Sequence, residues 1–200
     1  MMTGTGERPG RGPWGWLLPG LLLLGAMTVW GLLRYPELPD RIPQHIGPGG
    51  VDAWTDKGVG MAFLPVFLYA GTTALTAGCA FTLTRATPLD AMPASADRWA
   101  RAAATMNGRP ATAASARRMA AALLMTNLLL GVALLPLCWL QWRAEQSAAV
   151  PSWVWVATVA AFLASLVPTV RAWWADARER AARQGVTTED GAGTTSGRPG

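Results

Sequence analysis

Four apolar stretches of membrane-spanning length, arginines gathered between two of them and at both ends, and tryptophans at their boundaries predict an all-α membrane protein. The expected architecture is a four-helix transmembrane bundle with both termini cytoplasmic and an extracellular Pro/Gly-rich loop between helices 1 and 2. Half of the 200 residues are hydrophobic (51%), and the 11 Trp outnumber the 4 Phe and 2 Tyr together, which fits a small integral membrane protein and not a soluble core. The net charge of +5 does not indicate nucleic acid, because the arginines flank apolar runs instead of forming a stripe with interleaved aromatics. Cys79 and Cys138 both lie within apolar runs, where a thiol behaves as a small hydrophobe, and no disulfide framework or metal spacing is present.

Residues 1–13 are rich in Gly, Pro and Arg without periodicity and read as a disordered cytoplasmic arm. The first span, 14–33, is longer than the apolar core of a secretory signal and has no small-x-small cleavage site before Tyr35, so a retained anchor is preferred over a cleaved signal. The second span covers 58–84; Gly71 and Gly78 there would let a neighbouring backbone approach closely, or are merely tolerated. A basic linker at 85–118 carries six arginines against Asp90 and Asp97, with a short helix near 96–106 stopped by Asn107-Gly108 and Pro110. Trp99 and Met106 beside arginines would let that helix rest on anionic headgroups, although a solvated connector is the default.

The third span, 119–142, holds Asn127 at membrane depth, where an interhelical hydrogen bond is favoured over a ligand contact. A short connection leads to the fourth span, 151–170, making an antiparallel hairpin of helices over 119–184, with an extension past Trp173 and Trp174. Residues 185–200 contain little apolar content and are expected to be disordered. Thirteen Lys and Arg fall in the arm, linker and tail against four in the other two connections, which places both termini in the cytoplasm and the 34–57 loop outside.

That loop concentrates the chain's chemistry. It contains the only His, the only Lys and four of the 12 carboxylates (Glu37, Asp40, Asp52, Asp56), with four prolines stiffening it and Gly47, Gly49 and Gly50 allowing sharp turns. The spaced set Leu38-Pro39, Ile42-Pro43, His45, Gly50, Asp52, Trp54 and Lys57, followed by a membrane segment, resembles a domain of unknown function (family 1648) that forms the N-terminal part of SdpI-type bacterial immunity and signalling membrane proteins. The likeness covers about a quarter of the chain. Such proteins usually have a bulky residue and then Asn after the His, where this chain has Ile46-Gly47, and their C-terminal membrane domain is not recognisable here. The resemblance implies a multi-pass membrane protein without a defined reaction.

The apolar runs contain no Asp, Glu, Lys, Arg or His, so a proton relay or ion-binding carboxylate at depth is not evident, and no hydrolase motif is present. The chain is therefore expected not to be an enzyme and to need no cofactor. His45 with Asp40, Asp52 or Asp56 is weak evidence for a metal; the structural alternative has His45 bonding the loop's backbone while Trp54 packs at the membrane surface and Lys57 snorkels beside the second helix. Candidate recognition or loop-structuring residues are Pro39, Pro43, His45, Gly50, Asp52, Trp54 and Lys57, and the interhelical candidate is Asn127. The favoured function is recognition of an extracellular peptide or envelope component by the outer loop. An accessory or assembly subunit of a membrane transporter is the alternative, and a metal-dependent external enzyme has the least support. Expected partners are the lipid bilayer, the extracellular ligand, and a membrane or cytoplasmic protein docking on the basic linker.

Overall fold

An apolar residue in a membrane need not be buried in protein, and this chain's exposed side chains show which solvent it is built for. Leu18, Leu22, Leu33, Phe67, Leu68, Leu75, Val156 and Leu163 are all more than half exposed. A contiguous apolar exterior of this kind is untenable in water and ordinary in hydrocarbon. The computed structural model describes residues 12–47, 49–93, 97–143 and 149–192. Four apolar helical stretches are long enough to cross a bilayer: Pro13–Glu37, Leu64–Ala91, Ala113–Gln141 and Ser152–Ala182. The protein is thus a mostly helical, multi-pass membrane protein.

Helix α1 (Leu17–Arg34) follows one 3-10 turn and leads to a two-stranded antiparallel hairpin, β1 (Arg41–Gly47) and β2 (Gly50–Asp56). A single turn, α2 (Val59–Ala62), precedes α3 (Leu64–Arg85), where Pro65 occupies a first-turn position that needs no N–H donor. Then come the short α4 (Arg98–Met106), the long α5 (Ala113–Gln141) and α6 (Ser152–Ala192). The all-helical expectation is therefore corrected at 34–57, where a hairpin replaces an irregular loop.

Helix α5 is the hub, packing against α1, α3 and α6; 33% of its apolar window is buried, against 11% for α6. Close approach is made by glycines other than the expected ones. A Cβ on Gly131 would lie 2.3 Å from the Tyr69 ring, and one on Gly31 would lie 2.7 Å from Phe63 and 2.8 Å from Trp142. Gly71 and Gly78 have nothing within 4 Å. The reason is helical phase: α3 buries Val66, Tyr69, Thr73 and Ala80 against the bundle, which turns the Gly71/Gly78 stripe towards lipid.

Several polar side chains within the spans find partners inside the bundle, which hydrocarbon favours. Asn127 donates from Nδ2 to Thr73 Oγ1 (2.9 Å), joining α5 to α3, and the Tyr69 hydroxyl donates to the Gly20 carbonyl (3.3 Å), joining α3 to α1. The Thr126 and Thr169 hydroxyls pair across α5 and α6 at 2.8 Å. Other hydroxyls bond back to their own helix, including Thr73 to Tyr69 O (2.7 Å) and Thr76 to Thr72 O (2.8 Å).

At the end remote from the hairpin, α5 begins six residues earlier than expected, because Thr112 caps it by accepting from Ser115 N (2.9 Å). The fully buried Asp176 carboxylate accepts from Ala111 N (3.0 Å) and from the Ser115 hydroxyl, and pairs with Arg180; Glu179 pairs with Arg118. An acidic group is electrostatically suited to this helix N-terminus. Helix α6 also corrects the expectation of disorder from residue 185, since it continues to Ala192. One glycine at 185 costs only about 1 kcal/mol relative to Ala, too little on its own to end a helix already propagating. Residues 193–200 and 1–11 lie outside the described residues.

Candidate functional site

The hairpin forms because two β-prone segments are joined by a turn that only glycine suits. Gly50 has φ +117°, a value other residues rarely adopt, and it pairs with Gly47 at the hairpin's end. The register runs from Arg41 opposite Asp56, through Ile42 opposite Thr55 and Pro43 opposite Trp54, to His45 opposite Ala53. An irregularity between Pro43 and His45 inserts Gln44 as an extra residue, which re-aims the strand as bulges do.

One face of the hairpin is fastened to the bundle. Ile42 (0% exposed) and Leu38 enter a core with Met27, Phe63, Val66 and Trp142. Burying an isoleucine side chain contributes roughly 1.5–3 kcal/mol. Pro43 lacks an N–H, and its carbonyl accepts from Gln141 Nε2 (3.3 Å), which also donates to Met61 O (3.3 Å). The next residue, Trp142, donates from Nε1 to Ala62 O (2.8 Å) and packs edge-on against Trp30 at 5.1 Å. The end of α5 thus holds both the strand and the turn that follows it.

Lys57 closes the base of the hairpin. Its backbone N–H donates to Asp40 O (2.6 Å), and its ammonium donates to Leu38 O (2.9 Å) and lies 5.2 Å from the Tyr35 ring centroid. Pro39 and Trp54 are half-buried, and Gly50 is buried. His45 Nδ1 meets Asp52 Oδ1 at 2.6 Å, with side chains 68% and 61% exposed. The expected bond from His45 to loop backbone is therefore replaced by a carboxylate contact across the strands. Of the three carboxylates considered, Asp52 is the one brought to the imidazole. No cluster of three His, Cys, Asp or Glu occurs among the described residues.

Beneath β1 lies a cavity of about 280 Å³, bounded by Pro43 to Ile46, by Met61, Leu64 and Pro65, by Leu137 and Gln141 of α5, and by Trp155 of α6. Its walls are mainly apolar. The Trp155 indole N–H is buried and has no hydrogen-bond partner among the described residues. Gln141, Trp142 and Trp155 are the site residues that the sequence alone did not single out. The signal available was a lone amide at the end of an apolar run: a buried amide needs partners, and the nearest elements with free carbonyls there are the hairpin and the turn after it.

A family model described as a domain of unknown function (DUF1648) matches residues 22–68. No curated protein and no solved structure matches the chain. The matched residues run from within α1 through the hairpin to the start of α3, so the hairpin is the centre of the DUF1648 domain, while α5 and α6, which supply Gln141, Trp142 and Trp155, lie beyond it.

Proposed function

We propose that this chain is a non-catalytic, multi-pass protein of a bacterial plasma membrane, with both termini in the cytoplasm and the hairpin outside, and that the hairpin recognises an extracellular peptide or envelope component. The observation that carries this reading is the cavity shared by β1, the start of α3, α5 and α6. A ligand seated there touches the loop and two later helices at once, so its binding free energy acts on the bundle as well as on the loop. The exposed His45–Asp52 pair supplies a polar rim to an apolar wall. The arginine distribution supports the orientation, and the likeness to the N-terminal part of SdpI-type immunity proteins supports a role in immunity or signalling.

The test is a deletion strain challenged with a panel of extracellular peptide toxins and complemented with the wild-type chain or with His45→Ala, Asp52→Ala, Trp54→Ala or Gln141→Ala. Sensitivity on deletion that wild type rescues and the hairpin variants do not is the expected result. Unchanged phenotypes for all four variants overturn the reading, and stoichiometric co-purification of a large membrane partner favours the accessory-subunit alternative. For orientation, Thr55→Cys in a Cys79→Ala background should react with an impermeant thiol reagent added to whole cells; protection there, with labelling only in inverted vesicles, overturns the placement.

A further inference from the structure

We propose that α4 is an interfacial helix, seated on the anionic phospholipid surface of the leaflet at the bundle end opposite the hairpin. Three independent observations place it there.

The first is depth. The loop carrying α4 is closed at its base by Leu89 N–H to Pro110 O (3.0 Å) and Asp90 N–H to Ala111 O (3.3 Å), and Ala111 N–H is in turn held by Asp176 (3.0 Å). Asp176 lies two residues beyond Trp174 on α6, or about 3 Å along the helix axis at the standard rise. Trp173 and Trp174, both 56% exposed, sit where an interfacial aromatic belt is expected, so the base of the loop is pinned at headgroup level.

The second is the face that α4 turns outward. Trp99, Ala102, Ala103 and Met106 follow the i, i+3, i+4, i+7 pattern of one helical stripe, and all four are exposed, Trp99 at 72% and Met106 at 87%. Ala104, on the other side of the helix, is buried (5%). The helix therefore packs on the protein through a small residue and presents its largest apolar groups away from it. Water is a poor environment for that stripe, and a headgroup–acyl boundary is a good one.

The third is charge. The α4 sequence contributes Arg98 and Arg101, with Arg109 just after it and Arg85 at the end of α3. The acid at its start, Asp97, is engaged as the N-cap, accepting from Ala100 N (2.6 Å). A sequence this basic, in and beside a helix with an apolar stripe, suits anionic phospholipid, and each cation near the surface adds to the attraction. A nine-residue helix is too short to be stable alone, but here its cap, the Gly108 stop at φ +68° and the tied loop base prepare it before it meets lipid. The inference is independent of what the hairpin binds.

The experiment uses full-length protein carrying Cys79→Ala and Met106→Cys, spin-labelled at position 106 and reconstituted in nanodiscs of phosphatidylcholine alone or mixed with phosphatidylglycerol. Buried Cys138 is retained, and its unlabelled state is checked in the single Cys79→Ala protein. Collision with oxygen and with a water-soluble nickel chelate reports depth. The expected result is a lipid-exposed label in the anionic discs, oxygen-accessible and nickel-protected, with nickel accessibility rising several-fold in phosphatidylcholine and in an Arg98→Gln/Arg101→Gln/Arg109→Gln variant. A water-like label in both lipids overturns the proposal, as does protection from both reagents, which means that protein covers the stripe. Equal insertion in both compositions overturns the anionic preference.

Discussion

The two ends of the bundle are closed by opposite chemistry. At the hairpin end the fastening is aromatic and apolar: Ile42, Phe63 and Trp142 pack together, and two side chains at the tip of α5 donate to backbone carbonyls. At the other end the fastening is ionic, with Asp176 buried among Ala111 N–H, the Ser115 hydroxyl and Arg180. The buried carboxylate is matched by a cation and hydrogen-bond donors of its own chain, whereas the hairpin end keeps an open cavity, an indole N–H without a partner among the described residues, and an exposed His–Asp pair. One end is locked by buried charge, and the other is packed around a cavity.

The largest expected effect is at the locked end. Asp176→Ala removes the shared acceptor and leaves Arg180, only 19% exposed, without its partner, so a loss of about 3–5 kcal/mol is expected. Thermal unfolding in detergent measures it, and a change under about 1 kcal/mol would show that the ends are not distinguished by burial of charge. At the hairpin end, Ile42→Ala is expected to cost about 2–5 kcal/mol by cavity formation, and to loosen the hairpin before the bundle, seen as faster proteolysis within 41–56 while the helical signal persists. Simultaneous loss of both signals would mean that the hairpin is integral to the bundle fold. The glycines give a matched pair: Gly131→Ala drives a Cβ into a buried ring and should cost about 1–3 kcal/mol, whereas Gly71→Ala faces open space and should be neutral or slightly stabilising.

That glycine pair also shows where sequence reading stops. Spacing along one helix locates a stripe of small residues but not the direction in which the stripe faces, which depends on Tyr69 and Thr73 finding Gly131 and Asn127 on α5. The four spans were legible because apolar length and missing charge are local properties. The hairpin was obscured because four prolines and three glycines read as turn signals, and because only Ile42 and Pro43 of β1 are buried, too few to impose a period of two. The clamp on that strand was illegible for another reason: Gln141 and Pro43 are 98 residues apart, and nothing near either one announces the other. Asn127 was found because an amide at membrane depth is conspicuous wherever its partner lies.

Smaller effects separate structure from recognition. Asn127→Ala leaves Thr73 able to bond its own helix at Tyr69 O, so the expected loss is about 0.6–1.7 kcal/mol and not the full cost of an orphaned group. His45→Ala and Asp52→Ala should change stability least of all. Their contact is short, at 2.6 Å, but both side chains are about two-thirds exposed, and exposed ion pairs contribute about 0–1 kcal/mol because water and salt screen them. If both variants unfold within a degree or two of wild type yet fail to protect the deletion strain, the pair acts on the ligand and not on the fold. A drop of many degrees in either variant would move the pair to the structural side and leave the cavity walls, Gln141 and Trp155, as the recognition surface.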